Sequence, residues 1–200
     1  MNVVQNKSRK TDRRTLYTKK VIQEAYCTLL RGKNYDRISV TDICKLADIN
    51  RTTFYLHYMD SKAVFEELLD ELIEKILQQI AGNSFCKEDF WRRNEETYHA
   101  IMQDPTVAFL LKKGMTYPPF VEKFAACFAE LHLADCRGNG SLPESDLRLM
   151  LTGLMYSYIM LDLYCLKTRT VSELEHCNAL FNHYLFEPCY RSILSGGSGK

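Results

Sequence analysis

Arg51, Thr52, Thr53, Tyr55, His57 and Tyr58 crowd into one short stretch, NRTTFYLHY. Together they bring a guanidinium, hydroxyls, an imidazole, a threonine methyl and aromatic rings. Such groups hydrogen-bond the edges of bases and the oxygens of phosphates, so the chemistry this stretch could do is recognition of double-stranded DNA. Ser39, Thr41, Asn50, Ser61 and Lys62 flank it and complete the set of candidate DNA-contacting residues. No glycine-rich phosphate loop, G-x-S-x-G or H-E-x-x-H is present, so the sequence offers no catalytic set. His99 beside Glu95 and Glu96 falls on one polar helix face, where solvated charge is the ordinary reading. No enzyme, cofactor or metal is expected.

These side chains need a frame. Val40, Ile43, Cys44 and Ala47 recur at i, i+3, i+4 and i+7, which is one face of a helix. Ser39 or Thr41 can cap its start. Asp48 and Ile49 make a turn, and Asn50 can cap a second helix over about Arg51–Tyr58. That helix is too short to persist alone, so it must be held by its neighbours, with Phe54 as inward anchor. Two short helices joined by a tight turn form a helix-turn-helix, whose second helix enters the major groove.

In the stretch DINRTTFYLHY and its surroundings, about residues 13–80, the sequence resembles the TetR-type (tetracycline-repressor-like) family of bacterial transcriptional regulators. The resemblance implies an all-α fold: an N-terminal three-helix DNA-binding domain and a C-terminal helical bundle for ligand binding and dimerisation. It implies a first helix over about Thr15–Arg31, with Val21, Ile22, Ala25, Tyr26, Leu29 and Leu30 as its stripe. A fourth helix, Ser61 to Ala81, would carry movement from the ligand domain, through Phe65, Leu68, Leu69, Leu72, Ile73, Ile76 and Ile80. Tyr55, His57 and Lys62 match or nearly match positions that hold the DNA backbone. Two departures stand out. Asp48 occupies a turn position where the family often has glycine, and Ser61, not Lys62, falls at the spacing of the family's phosphate-binding lysine. The serine hydroxyl and the amides at the helix start could serve instead.

Charge is distributed to match. Residues 1–60 hold 12 Lys or Arg against 6 Asp or Glu, although the whole chain holds 26 against 25. The run KSRKTDRRTLYTKK reads either as a solubilising tail or, beside a helix-turn-helix, as an arm that displaces counterions from phosphates. The N-terminus does not resemble a signal peptide, and a cytoplasmic location is expected. LMLTGLMYSYIMLDLYCL, residues 149–166, carries Asp162, Thr152, Ser157 and tyrosines, so it reads as a buried helix and not a membrane span. Eight cysteines form no C-x-x-C pair and read as buried thiols. His132 with Cys136, and His176, Cys177 and His183, are spacings too common to indicate a metal.

The domain boundaries follow: residues 1–60 as the DNA-binding domain with its basic arm, 61–195 as the helical ligand-binding and dimerisation domain, and 196–200 as a flexible tail. Within the second part, helices are expected over about Lys87–Gln103, ending at Asp104-Pro105, then Pro118–His132, Pro143–Lys167 and a last one to about Tyr190, capped by Thr170 or Ser172. RGNGSLPESD is the clearest loop. Leu147, Leu151, Leu154, Tyr158, Leu161 and Cys165 make one apolar stripe. Leu174, Cys177, Leu180, Phe181, Tyr184 and Leu185 make another. They are the candidate homodimer interface, and ordinary core is the alternative. Trp91, Tyr98, His99, Met102, Phe109, Met115, Tyr117, Phe120, Phe124 and Tyr156 are candidates for a ligand pocket between helices, or again for core. The expected function is a homodimeric repressor released from a palindromic operator by a small-molecule effector. The alternative is a DNA-binding or interaction protein without an effector.

Overall fold

The structure is a computed structural model; it describes residues 3–83, 90–136, 142–168, 176, 179–188 and 191, with the side chains of residues 3–12, Trp91, Glu95, Asp135, Asp162, residues 165–168 and Asn182 left aside. Leu174, Cys177, Cys86 and Cys189 lie outside these residues, as do the 171–175 helix start, most of the RGNGSLPESD loop and the C-terminal tail. Among the described residues the fold is all-helical. The helices are α1 (Val3–Gly32), α2 (Val40–Ala47), α3 (Arg51–Tyr55), α4 (Ser61–Ile80), α5 (Phe90–Met102), α6 (Pro105–Gly114), α7 (Pro118–Cys136) and α8 (Glu144–Thr168). A 3-10 turn spans Tyr35–Arg37 and a π-helical segment spans Asn182–Phe186.

The chain divides into two units after Asp70, within α4. In the first, α1 packs on α2 and α2 on α3. Its core is the expected one: Ile22, Ala25, Tyr26 and Leu30 of α1, Ile43 and Cys44 of α2, Phe54 of α3, and Phe65, Leu68 and Leu69 of α4 are buried. Tyr26 and Tyr35 both stack on Phe65, with ring centroids 5.9 and 5.2 Å away. α1 begins about twelve residues before the expected Thr15. Its backbone is helical through the basic run, which contains neither proline nor glycine and is rich in lysine and arginine, good helix formers.

In the second unit α5 packs on α6, α6 on α7 and α7 on α8. Ile80, Phe90, Phe128, Leu133, Leu147, Leu151, Phe181 and Phe186 share one core. α5 ends at Met102, just before Asp104-Pro105 as expected, and the same pair also begins α6. The Asp104 carboxylate accepts from the amides of Thr106 (3.0 Å) and Val107 (3.2 Å), and Pro105 occupies the first turn, where a missing N–H costs nothing. α7 runs one turn past the expected His132. No helix among the described residues is long and apolar enough to cross a membrane.

Candidate nucleic-acid interface

The site is built from the caps outward. Ser39, not Thr41, caps α2. Its hydroxyl accepts from the Asp42 amide at 3.1 Å, and the Asp42 carboxylate accepts from the Ser39 amide at 3.4 Å, a reciprocal capping box. The Lys33 ammonium donates to the same carboxylate at 2.9 Å. Those bonds from Lys33 and Ser39 hold the Asp42 carboxyl below its ordinary range. α2 ends at Asp48, whose φ of 52° and ψ of 46° are left-handed, the conformation that glycine adopts most easily. Asn50 then caps α3, its side-chain oxygen accepting from the Thr53 amide at 2.7 Å.

Phe54 and Tyr58 pin α3 inward. Phe54 is fully buried and Tyr58 is 5% exposed. Tyr58 therefore differs from its expected place on the outer surface: it lies one turn after Phe54, on the same face, and its ring belongs to the core. Below it, Lys19 of α1 forms an ion pair at 2.5 Å with Glu67 of α4, and the ammonium lies 5.3 Å from the Tyr58 ring centroid. Burial alone would raise the Glu67 carboxyl. The hydrogen bond and charge of Lys19, with the Tyr58 side chain close by, more than offset it and bring the group below its ordinary value. Lys19 of α1 thus sits between the end of α3 and Glu67 of α4.

What remains on the outside is Arg51, Thr52, Tyr55 and Leu56, all exposed, with Thr53 and His57 half-buried. The Tyr55 ring meets Phe54 edge-on at 5.6 Å and leaves its other side to solvent. Leu56 was not among the expected contacts. Its residue type points to core, and only the register against Phe54 and Tyr58 shows that it faces out. Cys44 lies beneath α3. Burial pushes its thiol up and the Arg51 charge offsets that only in part, which favours the neutral thiol.

At the start of α4, Lys62 is exposed and paired with Glu66 at 3.2 Å. The Asp60 carboxylate accepts from the Ala63 amide at 2.8 Å. One of the amides that a phosphate would need there is already occupied, by a group of the same charge. Of the two alternatives, the structure leaves Lys62 the better placed to reach an anion, while Ser61 is half-buried.

The residues of the other candidate sets differ in burial. Tyr117, Phe120 and Phe124 are buried, with Phe120 and Phe124 stacked at 5.7 Å, whereas His99 is exposed and Tyr98, Met102, Phe109 and Tyr156 are half-buried. The Trp91 side chain is outside the described set. In the expected interface stripes, Leu151 and Phe181 are sealed in the core of their own unit, and Leu154, Tyr158 and Leu161 border that core. Leu180 and Tyr184 remain 44% and 68% exposed, Leu185 beside Tyr184 is exposed, and Met160 and Tyr164 of α8 are exposed as well. His132 is buried against the rings of Phe90 (5.2 Å) and Phe128 (4.5 Å), and among the described residues no three His, Cys, Asp or Glu gather as metal ligands.

No protein-family profile matches the chain. Three curated proteins are similar to part of it. The uncharacterized HTH-type transcriptional regulator YvdT of Bacillus subtilis is 26% identical over 111 residues, 54% of this chain and 57% of that protein. The uncharacterized HTH-type transcriptional regulator YxbF of Bacillus subtilis is 27% identical over 109 residues, 52% of this chain and 29% of that protein. The HTH-type dhaKLM operon transcriptional activator DhaS of Lactococcus lactis is 31% identical over 72 residues, 36% of each. The matches span between 29% and 57% of these relatives' lengths. Over up to about half its length, the chain is similar to bacterial regulators of the helix-turn-helix type.

Proposed function

We propose that the chain is a TetR-type, homodimeric DNA-binding transcriptional regulator that uses α3 as its recognition helix. One observation carries this reading: α3 is pinned by buried Phe54 and Tyr58 while Arg51, Thr52 and Tyr55 stand exposed on its outer side. A helix held so firmly on one face, with a guanidinium, a hydroxyl and a phenol exposed on the other, is built to present side chains to something outside. The net positive charge of residues 1–60 favours a polyanion as that partner. The names of the similar proteins support transcription regulation in particular.

The reading extends to control. A small-molecule effector bound among the helices of the second unit would move α4, which contains residues of both units, and alter the spacing of two recognition helices. These must sit in major grooves about 34–36 Å apart, so a shift of a few ångströms weakens binding. The effector must prefer one state, because equal affinity for both shifts nothing. Release of a repressor is the sign favoured here. The relative DhaS is named an activator, which favours, as a second reading, a protein that holds DNA in its effector-bound form.

The test uses the full chain and a duplex enriched from a randomised pool. A panel of small molecules is screened for a rise in melting temperature, and each hit is then titrated into the protein–DNA complex. A compound that raises the melting temperature and lowers DNA affinity supports the repressor. One that raises both supports the activator. A panel with no hit, alongside retained DNA binding, would favour the effector-free alternative.

A further inference from the structure

Among the described side chains of residues 13–70, six large apolar residues are exposed, and three of them, Tyr55, Leu56 and Met59, fall in five consecutive positions at the end of α3. Leu56 and Met59 are 76% and 81% exposed. An apolar side chain in that position contributes nothing to the core, and its surface leaves water only when something else covers it.

The register decides which way Leu56 points. Successive residues of a helix turn by about 100°. Phe54 and Tyr58 mark the inward direction, so Leu56, two residues from each, points nearly opposite. Its amide donates to the Thr52 carbonyl at 3.2 Å, so the helical turn includes both residues. Thr52 is therefore stacked one turn before Leu56 on the same exposed face. Residues 49–59 hold one arginine and no acid. Asp48 and Asp60 border the stretch, but the face itself carries Arg51 and no acid; an apolar pair on such a face suits an apolar group embedded in a polyanion, and in the major groove that group is the C5-methyl of thymine.

We propose that Leu56, with the methyl of Thr52, reads a thymine methyl in the major groove and is a specificity-determining residue of α3. The inference rests on the DNA-reading function above and adds the base it selects. Arg51 and the hydroxyls supply directed hydrogen bonds; Leu56 supplies the contact that distinguishes thymine from cytosine and from uracil.

The experiment isolates one methyl group. The full chain enriches a duplex from a randomised pool, and that duplex is remade with each thymine replaced in turn by uracil, which removes only the C5-methyl. Wild type should bind the uracil duplex about fourfold more weakly at one position per half-site, the equivalent of about 0.8 kcal/mol for one methyl-sized group. Leu56→Ala should bind the thymine and uracil duplexes equally at that position, still bind the duplex, and melt as wild type does, because the side chain is outside the core. Leu56→Met should keep part of the discrimination. Equal binding of thymine and uracil by wild type at every position would overturn the inference, as would undiminished discrimination by Leu56→Ala. Loss of all DNA binding by a normally melting Leu56→Ala also overturns it, since one methyl contact cannot carry the whole affinity. Failure to enrich any duplex overturns the DNA-reading function itself, and is thereby distinguished from failure of the thymine contact.

Discussion

At Asp48 the turn between α2 and α3 holds a non-glycine residue at φ 52°. Left-handed backbone costs an ordinary L-residue about 1–2 kcal/mol, less for aspartate, while glycine brings back about 0.5–1 kcal/mol of unfolded-state entropy. Asp48→Gly is expected to stabilise the chain by about 0.5 kcal/mol, read as a higher urea midpoint at unchanged slope; a lower midpoint would mean that the aspartate side chain makes a contact outweighing the strain. Neighbouring residues divide between specificity and grip. With Asn50 holding the Thr53 amide, α3 keeps its start when Arg51 is truncated. Arg51→Ala should therefore cost about 1–3 kcal/mol on an enriched duplex and much less on random DNA. Tyr55→Phe should weaken both by the same factor, because a phosphate contact carries no base information. The reverse pattern in titrations of the two variants would exchange the roles.

The helices themselves were largely legible. Val40, Ile43, Cys44 and Ala47 announced α2 because a half-buried helix must repeat its apolar residues every three to four positions, and α1 and α4 followed the same rule. What the sequence concealed has physical causes. Asp104-Pro105 marks the end of α5, but aspartate before proline serves equally as a cap and first turn, so the start of α6 is hidden in it. Tyrosine suits both core and surface, so residue type does not place Tyr58. Residue type also says nothing of register in a helix of five residues, which hides the outward face of Leu56. The Lys19–Glu67 pair beside the Tyr58 ring cannot be read from the sequence at all, since it joins residues far apart in the chain. It makes a prediction at this scale. Glu67 has a depressed carboxyl, so the unfolded chain takes up its proton first as pH falls. Its contribution to stability is full above the ordinary carboxylate range and is lost as pH drops through and below it. Between about pH 6 and about pH 3, wild type should lose more melting temperature than Glu67→Gln. Parallel pH profiles would show that the pair contributes no stability through its charge.

For the whole molecule, the exposed and buried members of one apolar stripe separate assembly from folding. Phe181 shares its core with Leu147, Leu151 and Phe186, so Phe181→Glu should unfold the second unit, at a cost of about 3–5 kcal/mol or more. Leu180 is half exposed in the single chain. Leu180→Glu should leave its melting little changed yet split a dimer and lower operator affinity, because two tethered half-site contacts become independent ones. Light scattering of the two variants checks this, and a wild-type mass near that of one 23.3 kDa chain would remove the dimer from the mechanism. The basic start of α1 acts at the same scale. Removing residues 1–12, which carry Lys7, Arg9 and Lys10, should flatten the dependence of log affinity on log salt. An unchanged slope would mean that this segment does not meet phosphate.

The most direct measurement is selection of duplexes from a fully randomised pool by the full wild-type chain, followed by sequencing. Two copies of α3 reading DNA together should enrich an inverted repeat, with half-site centres about 10–10.5 base pairs, or a multiple, apart. The same selection with Arg51→Ala should blur the bases of each half-site and leave their spacing intact. A pool that stays random through successive rounds, or an identical consensus with and without Arg51, would contradict α3 as the DNA-reading helix.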